Sequence, residues 1–214
     1  MVKHSKNGLL IIGIVLIGIL SLSGCSNDEE VVEIGISQIV EHPALDAARD
    51  GFIAALEEKG YVEGENIKLR KENAQGDFST AQSIADKFKN DKVDLVLAIA
   101  TPTAQAAANV IKDIPIMITA VTDPVSAGLV ESMDKPGANV SGTTDMNPVR
   151  EQFALIKKFL PNVKTVGILY NSGEVNSEVQ VEIAKEVAKD MGIKLKEGTV
   201  TNSSEVQLAA SSLV

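Results

Sequence analysis

The sequence predicts an α/β fold in which parallel sheets are flanked by helices and are divided between two lobes. Short apolar runs alternate with longer stretches of helical periodicity from Val31 onwards. Some of these runs, such as residues 94–100, are almost continuously apolar, as expected of strands that are buried on both faces. Capping residues followed by proline stand directly after several runs, which is typical of strand-to-helix junctions.

The first two units each consist of a strand and a helix. Residues 31–39 predict a strand, and the helix after it ends at Gly60, which supplies a left-handed stop. Residues 66–72 alternate as a second strand, and residues 79–82 resemble a capping box that opens the next helix. The apolar faces of the two helices are expected to consist of Leu45, Ala48, Phe52, Ala55 and Leu56, and of Ala81, Ile84, Ala85 and Phe88.

Two further strands end in a Pro-containing junction. Residues 94–100 lead into Thr101-Pro102, and residues 114–121 lead into Asp123-Pro124, so each pair predicts a helix with a cap and a proline in its first turn. A short polar strand over residues 139–144 follows. The first lobe is therefore expected to span residues 32–144.

The second lobe is predicted to span residues 145–214 and to be incomplete, because its last helix has no following strand. Asn147-Pro148 predicts a capped helix that buries Phe153, Ile156 and Leu160 and ends at Pro161. Residues 165–170 and 193–200 predict strands. The helix between them is expected to carry an apolar stripe and to stop at Gly192, and Asn202 with Glu205 predicts the start of the last helix; the stripe consists of Val179, Ile183, Val187 and Met191.

Residues 1–24 have the composition of a lipoprotein signal peptide. Lys3 and Lys6 precede a short apolar stretch that ends in Leu22-Ser23-Gly24-Cys25, a tetrapeptide that resembles the bacterial lipobox. We expect lipidation of Cys25 and a lipidated tether over residues 25–31, with the domain on the outer face of the cytoplasmic membrane. An uncleaved membrane anchor is the alternative, although the stretch is short for a bilayer span.

Charge and composition exclude several functional classes. Removing residues 1–24 takes away two of the 20 Lys and Arg and none of the 29 Asp and Glu, so the net charge of the remainder is −11, which argues against nucleic-acid binding. His42 is the only histidine left, and no nucleophile elbow, P-loop or dinucleotide glycine fingerprint is present. We therefore expect a binding protein with no cofactor, no metal site and no catalytic residues.

The predicted ligand-binding residues lie in four loops that follow strands. In a parallel sheet the carboxyl ends of strands share one edge, where helix N-termini present unpaired N–H groups to a ligand. Simple capping is the alternative role for Thr101 and Asp123, and a surface position is the alternative for His42. The candidates are Ser37, Gln38 and His42; Thr101, Pro102, Thr103 and Ala104; Thr122, Asp123 and Val125; and Asn171, Gly173, Glu174, Asn176 and Ser177.

Five stretches resemble a known family, the ABC transporter substrate-binding lipoproteins of the tryptophan type. The resemblance implies a type I periplasmic-binding fold whose two lobes are hinged by three crossovers and close on an amino acid. It also implies an ABC permease and its ATPase as partners. The stretches are His42–Phe52, Ala100–Gln105, Ala120–Val130, Pro136–Thr143 and Val166–Asn171.

The loop pattern and the resemblance together predict the extracytoplasmic solute-binding component of an ABC importer. It is expected to bind a small solute between the lobes, an amino acid, for which the resemblance suggests tryptophan or another aromatic. The alternative is a ligand-sensing receptor lipoprotein that is coupled to a membrane kinase or chemoreceptor. The effector domain of a cytoplasmic regulator shares this fold but would carry a DNA-binding helix pair in place of the export signal. An enzyme is the least supported class.

Overall fold

The computed structural model of the protein describes residues 31–214. The predicted signal peptide, the predicted lipidation site Cys25 and the first part of the tether lie outside these residues. No helix in the described range is both long and apolar enough to cross a membrane.

The first sheet contains five parallel strands, β1 (Val32–Gln38), β2 (Ile67–Asn73), β3 (Leu95–Ile99), β4 (Ile116–Val121) and β5 (Val140–Thr144). Their spatial order is β2-β1-β3-β4-β5. Three helices connect the first four strands: α1 (Pro43–Glu58), α2 (Phe78–Asp91) and α3 (Thr101–Val110). The parallel pairing and the helical crossovers confirm the predicted fold class.

Two apolar cores cover the two faces of this sheet. On one face Ile34 and Ile36 of β1 pack with the inner side of α1. On the other face Phe88 of α2 is completely buried, together with residues of α3 and β4. A β-carbon on Gly35 would lie 2.7 Å from the Phe88 ring, so the strand and helix approach closely at this point. Successive residues of β1 therefore face α1 and the α2–α3 layer in turn.

The second sheet pairs β6 (Thr165–Asn171) and β7 (Lys194–Val200) in parallel. Helix α4 (Val149–Phe159) precedes it, α5 (Val175–Asp190) connects its strands, and α6 (Val206–Leu213) follows a short 3₁₀ turn, Ser203–Glu205. A separate core joins α4 to α5 through Phe153 and Val187. The described residues thus form two sheets, each with its own core.

Two predictions of helix caps are wrong. Asp77 and not Ser79 caps α2, because the Asp77 carboxylate accepts the Thr80 amide proton at 2.6 Å and lies one residue before the first helical turn. At α3 the N-cap is Ala100, and Thr101 is already the first helical residue. Since Ala100 has no side-chain acceptor, this helix begins without a side-chain cap.

The helix predicted after Asp123-Pro124 is absent from the described residues. Asp123 accepts the amide protons of Val125 and Ser126, which produces a capped turn. The amide of Leu129 then donates to the carbonyl of Pro124, and Gly128 adopts a φ of +70°, so the chain leaves the helical path after one turn.

The predicted helix at Asn147 exists, but two of its details are wrong. Asn147 does not cap α4, because its amide donates to Gln180 at 2.6 Å and Pro148 occupies the N-cap. Leu160 is 60% exposed, whereas Phe153 is buried as predicted. Helix α4 ends at Phe159, so Leu160 no longer follows the buried face.

The predicted apolar face of α1 is wrong at one position. Ala55 is exposed, and Ile53 packs on the core instead.

Candidate functional site

The carboxyl edge of the first sheet has a topological switch point between β1 and β3. Strand β2 pairs on one side of β1 and β3 pairs on the other, so the connections after β1 and β3 leave in opposite directions. Such a divergence opens a crevice where ligands bind in parallel α/β sheets. The predicted residues Ser37 and Gln38 end β1, and Gln38 is the register partner of Ile99 at the end of β3.

Ser37 is a buried polar residue at this crevice. It is 3% exposed, and its hydroxyl has no hydrogen-bond partner among residues 31–214. Ser37 has the same strand parity as Gly35, which contacts Phe88, so its side chain lies on the face covered by α2 and α3. A buried hydroxyl without a partner is uncommon and calls for a ligand or water that completes it.

Helix α3 begins beside this hydroxyl with a strained residue. Ala100 has φ +85° and ψ 155°, a region that glycine alone occupies without cost. The first hydrogen bond inside the helix joins the Ala104 amide to the Ala100 carbonyl at 3.1 Å. The amides of Thr101 and Thr103 therefore precede the helical ladder, and an anion is the partner that suits them.

The remaining predicted residues of this helix have structural contacts. The Thr103 hydroxyl donates to the carbonyls of Ile99 and Ala100, at 2.7 and 2.9 Å, which ties the helix to the end of β3. Thr101 and Ala104 are buried, and Pro102 is half-buried. The first turn of the helix thus has no side-chain cap, and the Thr101 and Thr103 amides are its free backbone donors.

His42 and Asp123 both act as caps. The Nδ1 atom of His42 accepts the Ala44 amide proton at 3.2 Å and so caps α1, while the residue itself is exposed. The Oδ2 atom of Asp123 accepts from the Ser126 hydroxyl at 2.7 Å. This bond is the main reason that the pKa of Asp123 lies below its usual value, with the Ser126 and Val125 amides adding to it against partial burial. Near Asp123, Thr122 is buried and Val125 is exposed.

A second polar cluster follows β6. Asn171 accepts the Gly173 amide proton and donates to the Glu174 carboxylate at 2.8 Å. The other carboxylate oxygen of Glu174 accepts from the Nδ2 atom of Asn176 at 3.3 Å. This bond fixes which way the Asn176 amide points, and it leaves the Oδ1 atom buried. Ser177 lies beside the cluster and is half-buried.

The Oδ1 atom of Asn176 and the Oγ atom of Ser37 share one property. They are the buried side-chain polar atoms without a hydrogen-bond partner in the described part of the chain. One lies at the carboxyl edge of the first sheet and the other in the first turn of α5, next to the end of the second sheet. Val175, the residue before Asn176, packs against the core of the first sheet, so the start of α5 contacts that lobe.

Two surface pockets in the described residues do not coincide with these atoms. One lies along the ends of β4 and β5 and contains Ile118 and Gly142. The other lies between α3 and the turn after Asp123, and Gln105 and Lys112 contribute to it. Neither pocket contains a predicted site residue. The candidate site therefore rests on the two buried polar atoms that have no hydrogen-bond partner within residues 31–214.

Sequence reasoning missed two features of the site. The positive φ of Ala100 has no signal in the sequence, because alanine carries no preference for that conformation. Asp46 and Arg49 contact Gln38, and their i,i+3 spacing at the start of a helix was a usable signal for a paired charge. Within residues 31–214, no group of three or more His, Cys, Asp or Glu side chains is arranged to hold a metal ion.

Comparison with known proteins identifies close relatives. Residues 33–214 match the profile of the family described as ABC transporter substrate binding protein. A tyrosine-binding protein of Clostridioides difficile (strain R20291) is 50% identical over the whole of this chain and 66% of its own length. The family predicted from the five sequence stretches is therefore confirmed.

Two solved structures of similar sequence show different degrees of superposition. The ABC domain from Streptococcus pneumoniae in complex with L-Trp is 39% identical, with a TM-score of 0.82 over 85% of this chain and 61% of that one. The ligand-free, open structure of a substrate-binding protein with adhesive properties from Clostridium difficile is 56% identical, with a TM-score of 0.64 over 86% and 62%. The chain spans less than two thirds of the length of each of these three relatives.

Proposed function

Because the chain belongs to the family of ABC transporter substrate-binding proteins, we propose that it captures an aromatic amino acid, tyrosine or tryptophan, between its two lobes. The lobes in this proposal comprise residues 32–144 and 145–214. The observation that carries the proposal is a pair of buried atoms, Ser37 Oγ and Asn176 Oδ1, that have no hydrogen-bond partner in the described part of the chain. Relatives that bind tyrosine or were solved with L-Trp support the ligand class.

The carboxylate of the amino acid would bind at the start of α3. The amides of Thr101 and Thr103 and the positive end of the helix dipole suit a negative group, and no side chain caps this helix by a hydrogen bond. The Ser37 hydroxyl would donate to the same carboxylate. Since a hydroxyl both donates and accepts, this contact would complete a group that otherwise stays unpaired.

The ammonium group of the amino acid would bind at the second cluster. Asn176 Oδ1 is an acceptor only, and the adjacent Glu174 supplies a negative charge that its two amide partners do not neutralise. Hydrogen bonds to charged groups are about twice as strong as neutral ones. The two lobes would therefore each recognise one end of the zwitterion, and the bound ligand would shift the lobes toward the closed arrangement.

The arrangement of the chain supports a closing mechanism. It superposes better on the L-Trp complex than on the open, ligand-free structure, although its identity to the open structure is higher. The contact of Val175 with the first core agrees with a closed position of α5. Presentation of the closed form to an ABC permease and its ATPase would complete import.

Titration calorimetry with an L-amino-acid panel tests the ligand class. We expect binding of L-tyrosine or L-tryptophan, and a loss of roughly 10- to 100-fold in affinity for Ser37→Ala and Asn176→Ala, since each removes a bond to a charged group. Ser79→Ala and Asn109→Ala change exposed residues of the same types and serve as controls. Absence of binding across the panel would exclude an amino-acid ligand.

The predicted export signal leads to a separate proposal on location. Cys25 would carry the lipid that anchors the protein to the outer face of the cytoplasmic membrane. Metabolic labelling with a radioactive fatty acid tests this directly: we expect label on the wild type and none on Cys25→Ser. An unlabelled wild-type protein whose mass still includes residues 1–24 would instead indicate an uncleaved anchor.

A further inference from the structure

A polar cluster lies beneath the loop that connects β1 to α1. Gln38 is 2% exposed, and its Nε2 atom donates to the Val40 carbonyl and to Asp46 Oδ1, both at 2.8 Å. The guanidinium of Arg49 donates to the same Asp46 oxygen at 3.2 Å and to Gln38 Oε1 at 3.4 Å. Side chains from one turn of helix thus hold the last residue of the strand. We call Gln38, Asp46 and Arg49 the loop cluster.

Gln38 has no amide proton left for a ligand. Its two N–H groups are engaged by Val40 and Asp46, and its side chain faces α1, opposite to Ser37. Gln38 was predicted to bind the ligand, but these bonds give it a different role. It fixes the path of the chain from Ser37 to His42, and so the position in which the Ser37 hydroxyl is presented.

Arg49 also sets the charge of this region. Its guanidinium contacts Asp46 and Asp50, at 3.2 and 2.9 Å. Without Arg49, the half-buried Asp46 carboxylate would keep only the Gln38 amide as a side-chain partner among residues 31–214. The loop would then lose its clamp and gain net negative charge near the end of β1, and both changes disfavour an anionic group there.

We propose that Asp46 and Arg49 are positioning residues for ligand capture, which act through Gln38 to hold the β1–α1 loop and Ser37 ready for the ligand. This inference rests on the proposed amino-acid binding site. The cluster is separate from the apolar contacts of α1, which Leu45, Phe52, Ile53 and Leu56 provide. Loss of the loop cluster should therefore disturb the β1–α1 loop more than it destabilises the fold. Holding this loop in place before binding lowers the entropic cost of capturing the ligand.

Arg49→Met tests the proposal, because methionine keeps an unbranched apolar stem and removes the charge and the donors. In calorimetry with the amino acid that the wild type binds, we expect Arg49→Met to bind about tenfold more weakly. Arg49→Lys, which keeps the charge without the fork of donors, should recover part of the loss. Asp50→Asn removes only the exposed partner and should bind as the wild type does.

Two measurements separate positioning from general destabilisation. The urea midpoint of Arg49→Met should stay close to that of the wild type, and hydrogen exchange of the free protein should quicken at residues 40–42 but not in β3. Wild-type affinity in Arg49→Met would overturn the proposal, as would a loss of affinity that follows a matching fall in the urea midpoint. If the wild type binds no amino acid, the proposed function fails. Unchanged hydrogen exchange at residues 40–42 in Arg49→Met would independently show that the loop cluster does not hold the loop.

Discussion

The carbonyl oxygen of Ile118 would lie 2.0 Å from a β-carbon at position 142, so only glycine fits where β5 passes β4. Gly142 has a φ of +150°, and the register of the two strands shifts between Ile118 and Val121. The close approach and the shift belong together, because an irregular strand pair brings one backbone over the other. This irregularity adjoins the turn that begins at Asp123.

We therefore predict that Gly142→Ala lowers the free energy of unfolding by about 3 kcal/mol, since backbone atoms must move to admit the methyl group. Urea denaturation measures the change. Gly51→Ala is the matched control, because a β-carbon there meets nothing within 4 Å in the middle of α1. It should raise stability by about 0.5 to 1 kcal/mol through helix propensity. Equal stability of the two variants would refute the close approach.

The strained backbone at Ala100 gives a prediction of opposite sign. Ala100→Gly should raise the free energy of unfolding by about 1 kcal/mol. The substitution relieves about 1 to 3 kcal/mol of backbone strain, which exceeds the entropic cost of a more flexible unfolded chain. Ala98 is fully buried in the same strand, and Ala98→Gly should lower stability by about 1 kcal/mol. A loss of stability in both variants would show that Ala100 is not strained.

The cap of α2 predicts a pH-dependent effect. Hydrogen bonds from Ser79 and Thr80 lower the pKa of Asp77 below 3.8, so its contribution to stability is present at neutral pH and is lost as the pH falls through the lowered pKa. Asp77→Ala should therefore melt at a lower temperature than the wild type at pH 7. The difference should shrink steadily below pH 3.8. A difference that is independent of pH would mean that the carboxylate charge has no part in the cap.

The sequence was sufficient to predict the elements that depend on local periodicity. Strand β3 and the buried face of α2, with Ile84 and Phe88, follow from apolar spacing, and the structure has them where the pattern placed them. The end of α5 near Gly192 was also predictable, because glycine readily adopts the positive φ that ends a helix. These features are set by neighbours within one turn or one strand, which is the range that a sequence pattern covers.

The sequence pattern could not predict features that depend on a choice between a helix and a turn, or on contacts between residues far apart in the chain. Asp123-Pro124 has the same local signal as a helix start, and only the bonds from Leu129 to Pro124 show that a turn forms. The candidate site depends on the same kind of information. A sequence places Ser37 and Asn176 after strands, but the burial of Ser37 Oγ and Asn176 Oδ1 without partners within residues 31–214 depends on tertiary packing.

The most direct test of the central claim is a crystal structure of the protein with L-tyrosine or L-tryptophan bound. We predict that the ligand lies between the lobes, with its carboxylate within hydrogen-bond distance of Ser37 Oγ and the Thr103 amide, and its ammonium group within the same distance of Asn176 Oδ1. A ligand bound elsewhere, with Ser37 Oγ and Asn176 Oδ1 making no contact to it, would contradict the account.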